Sequence, residues 1–317
     1  MKKDGEALLL DAGDLFFRKF SAPFSEKEIP RLEERARLIL RSFEWMGYHA
    51  MGIGDDDLSL GKRFLAELSK ASKMLFLSTN VIDEDSGKTL FQRFVLKEVR
   101  GLKVGIFSLL SPEVFIGASD PRKKGLIFRN PIETAREMVV ELGPRTDLII
   151  LLSHLGYPKD VELAQKVSGI HLIVGGHTGV HLVNPPVFGG TVLLHTSPKG
   201  MYASRLDLTL LHKASGFYNV ATKRSLEENL RRLQQQLTAR KASDAEKQQQ
   251  QKAKESVEKA LQQLRGENNF THRVFALSES IKDHPDIKKM IEDHQSRFPE
   301  KTEPPLHDSR GTYRPKP

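Results

Sequence analysis

Two histidines stand where an imidazole could do chemistry. His154, in Ser153-His154-Leu155-Gly156, and His177, in Gly175-Gly176-His177-Thr178-Gly179, each follow a short apolar run and precede a glycine by two residues. Aspartates stand in the same relation to two earlier apolar runs. Asp14 follows EALLLDA, and Asp55, Asp56 and Asp57 follow HAMGI. Carboxylates with two imidazoles form a mixed oxygen and nitrogen donor set, which suits zinc, manganese or iron better than calcium or magnesium. A single histidine at a strand end is more often a hydrogen-bonded loop residue than a ligand. Two of them, beside glycines that let the backbone pass close to something, give a metal role equal weight with that plainer one.

These groups need elements to deliver them. Residues 148–152 (LIILL) and 172–174 (LIV) read as strands, and 160–167 between them as a short helix with Leu163, Ala164 and Val167 at helical spacing. That is a parallel strand–helix–strand unit. In open α/β sheets the C-terminal strand ends are where loops converge on one crevice. Upstream, residues 6–12 read as a buried strand and 25–46 as a helix. Glu28 sits three residues after Ser25 like a capping box, while Pro30 pushes the true start later. Strands follow at 49–53 and 74–78, with a helix at 58–71 between them. Residues 90–99 and 103–110 form a hairpin around Arg100-Gly101-Leu102, and 131–142 is a helix opened by a proline. Further strands are expected at 190–195, 204–211 and 217–221.

The chain has 317 residues, 38% of them hydrophobic, enough to bury a substantial core. It contains no run of eighteen apolar residues and so no membrane span. MKKDGEALLLDAG is too short in its apolar part for a signal peptide. The absence of cysteine excludes disulfides and thiol catalysis. The net charge of +8 is spread along the chain with little aromatic interleaving, which argues against nucleic-acid binding. Composition turns polar and helical near Leu226. Leu226, Leu230, Leu233 and Leu237 make one narrow apolar seam, and Val257, Ala260, Leu261 and Leu264 another. One long helix, or a helical hairpin broken near Ser243-Asp244, would carry them, paired within the chain or with a second copy, or else lying on the domain. Gly266 ends it. A late strand at 273–277 and a short helix at 285–298 precede a proline-rich, charged tail read as disordered. The organisation expected is a domain at 1–224, a helical or coiled-coil segment at 225–265, a strand–helix extension at 266–298 and the tail at 299–317.

The stretches LLLDAGDLF, GYHAMGIGDDDLSLG, LSTNV, KVGIFSLLSP, DLIILLSHLG, GIHLIVGGHTG and GGTVLLHTSPKGMYASRLDLTL run in order across residues 6–211. Together they resemble the N-terminal domain of the 5'-nucleotidase family, of the calcineurin-like metallophosphoesterases. ENNFTHRVFALSESIKDHPDI, after the coiled segment, resembles a variant subgroup of it. The resemblance implies an α/β sandwich of two mixed sheets flanked by helices, and hydrolysis of phosphate esters, often nucleotides, by water activated between two metals. It assigns Asp14 to the aspartate that bridges the metals. Asp55 stands where the family's GNHE motif has a metal-binding Asn, and His154 and His177 align with two more ligands of that metal. The second site is nearly empty. Its DxH motif would precede residue 6, and Gly179 replaces its last ligand. Asp56 replaces the catalytic His, with His181 and His195 as candidates for further ligands. In place of the family's separate C-terminal base-binding domain, the coiled segment is expected to follow. The expectation is therefore an impaired metal-dependent phosphomonoesterase in nucleotide catabolism, with one metal per chain and possible self-association through 225–265. The alternative is a non-catalytic scaffold that binds a partner through its coiled segment. A start upstream of Met1 would restore the missing strand. Relatives are commonly exported while this chain shows no signal, which leaves the compartment open.

Overall fold

The computed structural model describes residues 6–196, 200–213, 216–238 and 243–299. Most of the tail expected to be disordered, from residue 300 on, lies outside them. The chain enters on β1 (Leu10–Asp11), far shorter than the strand expected at 6–12, because only Leu10 and Asp11 find ladder partners, at Ala50 and Met51. Helix α1 (Ile29–Met46) begins after Ser25 and Glu28 have bonded each other, with Pro30 in its first turn where no N–H is needed. β2 (Ala50–Gly52) follows. A 3₁₀ turn at Asp56–Leu58 then shortens the next helix to α2 (Gly61–Lys70), and β3 (Leu75–Leu77) completes a three-stranded parallel sheet in the order β1-β2-β3.

The next stretch adds β4 (Val81–Asp83), then the hairpin β5 (Phe94–Val99) and β6 (Leu102–Leu110). Arg100 and Gly101 turn that hairpin with φ of 52° and 78°, the left-handed pair a two-residue turn requires. β7 (Leu126–Phe128) pairs with β4, a small ladder that no sequence pattern announces. α3 (Pro131–Leu142), β8 (Leu148–His154), α4 (Tyr157–Lys166) and β9 (Leu172–Gly175) form the parallel unit expected. α4 starts three residues early because Pro158 fits its first turn. β10 (Val187–Phe188) and β11 (Thr191–His195) then close a six-stranded mixed sheet in the order β10-β11-β9-β8-β6-β5.

Residue alternation explains the layers. In β8, Ile149 and Leu151 pack with the buried faces of α3 and α4, while Leu148, Ile150 and Leu152 enter a second cluster with Ala50, Leu77, Phe217 and Phe270. The large sheet thus has helices on one face and further sheets on the other. β2 approaches it so closely that a Cβ on Gly52 would lie 3.1 Å from the Leu152 Cβ. A third core joins Phe16, Met51, Leu65 and Phe76 between the parallel sheet and the helices α1 and α2.

β12 (Tyr202–Thr209) and β13 (Phe217–Asn219) lead into the helical hairpin α5 (Val220–Thr238) and α6 (Asp244–Gln263). The hairpin alternative is the one observed. Ser243 and Glu246 form a reciprocal capping box at the start of α6, and the two seams meet with Leu233 and Val257 buried. β14 (Asn268–Ala276) begins five residues before the strand expected and runs between β12 and β13, antiparallel to the first and parallel to the second. α7 (Pro285–Arg297) packs on α1. Among the described residues no helix is long and apolar enough to cross a membrane.

Candidate metal centre

Two loops meet first. Asp57 is fully buried and accepts four backbone N–H groups: Asp14 (2.9 Å) and Gly54 (2.9 Å) on Oδ2, Leu15 (2.8 Å) and Phe16 (3.2 Å) on Oδ1. It stitches the loop after β1 to the loop after β2. Burial, and then the Asp14 charge, push its carboxyl up to about 7, while the N–H donors pull the other way. The loops touch so closely that a Cβ on Gly54 would lie 2.2 Å from Asp14 Oδ1. Asp14 itself adopts φ 62°, a left-handed conformation uncommon outside glycine, and its Oδ1 accepts the Asp56 N–H at 2.8 Å. That leaves Oδ2 for the crevice.

His154 arrives at the end of β8. Its Nδ1 lies 2.8 Å from the Ala12 carbonyl, which can only accept, so Nδ1 carries the hydrogen and Nε2 faces the crevice. There Nε2 is 3.1 Å from Asp14 Oδ2 and 3.3 Å from Asp55 Oδ1. His177 Nδ1 reaches the same Asp55 oxygen at 3.3 Å, from a backbone at φ 67° just after β9. One donor atom from each of Asp14, Asp55, His154 and His177 lies within 4.8 Å of the others. Asp55 Oδ1 and His154 Nε2 are buried without a hydrogen-bond partner. Buried polar atoms are ordinarily satisfied, so two such orphans facing each other among carboxylate and imidazole donors fit a divalent cation. Asp55 and His154 form the buried floor, and Asp14 and His177 are more open.

The electrostatics agree. Burial pushes the Asp55 carboxyl up, but His154, His177 and Arg122 more than offset it and hold it below the usual range. Burial likewise opposes charge on His154, yet Asp14 and Asp55 hold its pKa well above the ordinary value.

The other sequence candidates stand elsewhere. Asp56 Oδ1 accepts from Phe20 N (2.8 Å) and Arg122 Nη1 (2.7 Å), outside the group of four. Burial, and then Asp14, raise its pKa to about 6. The His181 ring lies tilted against Tyr202, 4.9 Å between centroids. His195 is buried and directs Nε2 to Asp160 Oδ2 at 2.8 Å, while Ser153 donates to the other Asp160 oxygen. Neither histidine joins the cluster.

Arg122 escaped the sequence reading. It sits in Pro121-Arg122-Lys123-Lys124, which looks like a solvated basic run, yet it is 3% exposed. Nε and Nη2 grip Asp120 at 3.0 and 2.7 Å, and Nη1 bonds Asp55 Oδ2 at 2.8 Å as well as Asp56. Phe20 and Phe115 cover the guanidinium, with ring centroids 4.3 and 5.2 Å away. No local sequence pattern marks such a pocket, because Phe20 and Asp55 lie far from Arg122 in the chain.

No family model matches the chain. A 5'-nucleotidase of Vibrio cholerae is 25% identical over 234 residues, covering 64% of this chain and 41% of that protein. Among solved structures, the sulfate thiohydrolase SoxB of Thermus thermophilus superposes with a TM-score of 0.65 at 20% identity, covering 94% of this chain and 44% of the other. The calcineurin-like phosphoesterase YfkN of Bacillus subtilis superposes with a TM-score of 0.61 at 17% identity, covering 93% and 85%. The chain spans less than half the length of the curated relatives it matches. The fold is that of the calcineurin-like phosphoesterases, and the four clustered side chains form a candidate metal site within it. Within that class the sequence likeness is to 5'-nucleotidases.

Proposed function

We propose that the chain hydrolyses phosphoric monoesters, nucleotides among them, at a single divalent zinc, manganese or iron ion held by Asp14, Asp55, His154 and His177. The observation that carries this is the facing pair of orphaned buried atoms, Asp55 Oδ1 and His154 Nε2, inside the group of four. A bound cation supplies Lewis acidity and lowers the pKa of a coordinated water. Around it, the Ala12 carbonyl fixes the His154 tautomer. Asp14 and His177 flank the open side from which a phosphate would approach. Asp56, which takes the place of the family's catalytic His, has its Oδ1 tied to Arg122 and Phe20 N. Lack of a positioned acid costs on the order of 10²–10⁴ in rate, so turnover is expected to be slow. In this reading residues 1–224 form the hydrolase unit, 225–265 an arm and 266–298 an extension.

The inward-bound Asp56 also favours a second reading, a non-catalytic scaffold whose helical arm meets a partner or a second copy. Turnover of p-nitrophenyl phosphate with added Mn²⁺ separates the two. The hydrolase reading expects a Mn²⁺-dependent rate that Asp14→Ala abolishes. Equal rates for the two proteins would overturn it.

A further inference from the structure

Asp55 poses a problem of charge and of geometry. It stands where the family resemblance places a neutral asparagine ligand, and it is buried with Asp56, Asp57 and Asp120 close by. An unpaired buried carboxylate is costly. Arg122 is equally buried; its charge, shared with Asp56 and Asp120, offsets part of the first difficulty, and its position answers the second. Its Nη1 holds Asp55 Oδ2 at 2.8 Å and leaves Oδ1 as the one oxygen turned to His154 and His177. The guanidinium is itself fixed by the Asp120 fork and by the faces of Phe20 and Phe115. A planar guanidinium braced at Nε and Nη2 aims Nη1 in one direction.

We propose that Arg122 is a positioning residue for the metal centre, and that Asp55 held by Arg122 acts as one composite ligand that replaces an asparagine. One carboxylate oxygen is spent on the guanidinium and the other is presented to the cation, as an amide would present its oxygen. The proposal rests on the metal-centre reading above. It carries an unusual consequence. Arg122 Nη1 can only donate, so whatever stands at 55 must offer it an acceptor. In Asp55→Asn the amide oxygen turns to Arg122, and the NH₂ group, which cannot bind a cation, turns to the crevice. Restoring the family's residue therefore breaks the site. Removing the guanidinium as well frees the amide oxygen to face the cation again.

The test is Mn²⁺ binding to the full chain by isothermal titration calorimetry, with circular dichroism to confirm folding. Wild type is expected to bind one Mn²⁺, and His177→Ala is expected to weaken binding. Loss or misorientation of such supporting groups costs about 10–100-fold in affinity, and Asp55→Asn is expected at or beyond the upper end. Asp55→Asn/Arg122→Gln is expected to recover at least about tenfold of that loss, because Gln can accept from the amide NH₂. Arg122→Lys, which keeps the charge but not the fork, is expected to weaken binding. If the Gln double variant does not fold, Asp55→Asn/Arg122→Met makes the same comparison. A folded double variant that binds no better than Asp55→Asn overturns the composite ligand while leaving the metal centre standing. Absence of Mn²⁺ binding in wild type, or wild-type affinity in His177→Ala, overturns the metal-centre reading itself and the composite ligand with it.

Discussion

Two polar clusters lie at the same edge of the large sheet, built from the same residue types. In one, His154, His177, Asp14 and Asp55 face one another and leave two buried atoms without partners. In the other, Asp160 accepts from Ser153 Oγ on one oxygen and meets His195 Nε2 on the other, with Tyr157 edge-on to the imidazole at 5.2 Å. No atom of Ser153, Asp160 or His195 is buried without a partner. His154 and His195 are equally buried at the ends of nearby strands, so neither burial nor strand position separates a ligand from a strut. What separates them is whether the hydrogen bonds close. The satisfied cluster braces the fold; the unsatisfied one is the candidate metal centre.

The sharpest way to break this comparison is Asp160→Ala. It would leave a buried imidazole and a buried hydroxyl without their shared acceptor, and loss of one partner from a buried pair costs about 3 kcal/mol or more. Urea denaturation should show that loss. The protein that remains folded should still bind one Mn²⁺, and a lost metal site with unchanged stability would reverse the two assignments. Gly175→Ala should act in the same direction with a smaller effect. A Cβ there would lie 2.0 Å from His195 Nε2 and 2.5 Å from Asp160 Oδ2. Overpacking of this kind costs about 1–3 kcal/mol, readable as a lower urea midpoint.

The smallest effect is in pH. His154 has a folded pKa well above its ordinary 6.5, so its protonation stabilises the cation-free fold fully below pH 6.5 and progressively less as pH rises through the folded value. The melting temperature of chelator-treated protein should therefore fall as pH is raised above 6.5. Mn²⁺ competes with that proton, so the rise in melting temperature on adding Mn²⁺ should grow over the same range. A Mn²⁺ effect that is independent of pH would mean that His154 does not face the cation.

Much of this was legible in the residues. The four clustered side chains each follow an apolar run that folds as a strand, and in β6, β8, β9 and β11 alternation placed the core on both faces. Periodicity reports which side of an element is apolar. It does not report which distant groups meet across loops, and that is where the reading failed. Arg122 drew no reading at all, because Asp55, Asp120, Phe20 and Phe115 come from separate stretches of chain. His195 looked like a ligand candidate because its partner Asp160 was assigned only to the start of a helix. Strand β14 was read too short, since Asn268 and Asn269 are poor strand formers whose pairing is fixed by β12 and β13. Asn268 also binds the Leu211 and His212 N–H groups through its side chain, a tertiary role no local pattern carries.

Strands β13 and β14 are neighbours, and the whole of α5 and α6 is inserted between them. The chain leaves the body beside the place where it returns. Because the excursion is an out-and-back pair of helices, trimming equal numbers of turns from the far ends of both would leave exit and re-entry in register. The arm's reach is thus free to vary while the sheet that anchors it, and the crevice beyond, stay as they are.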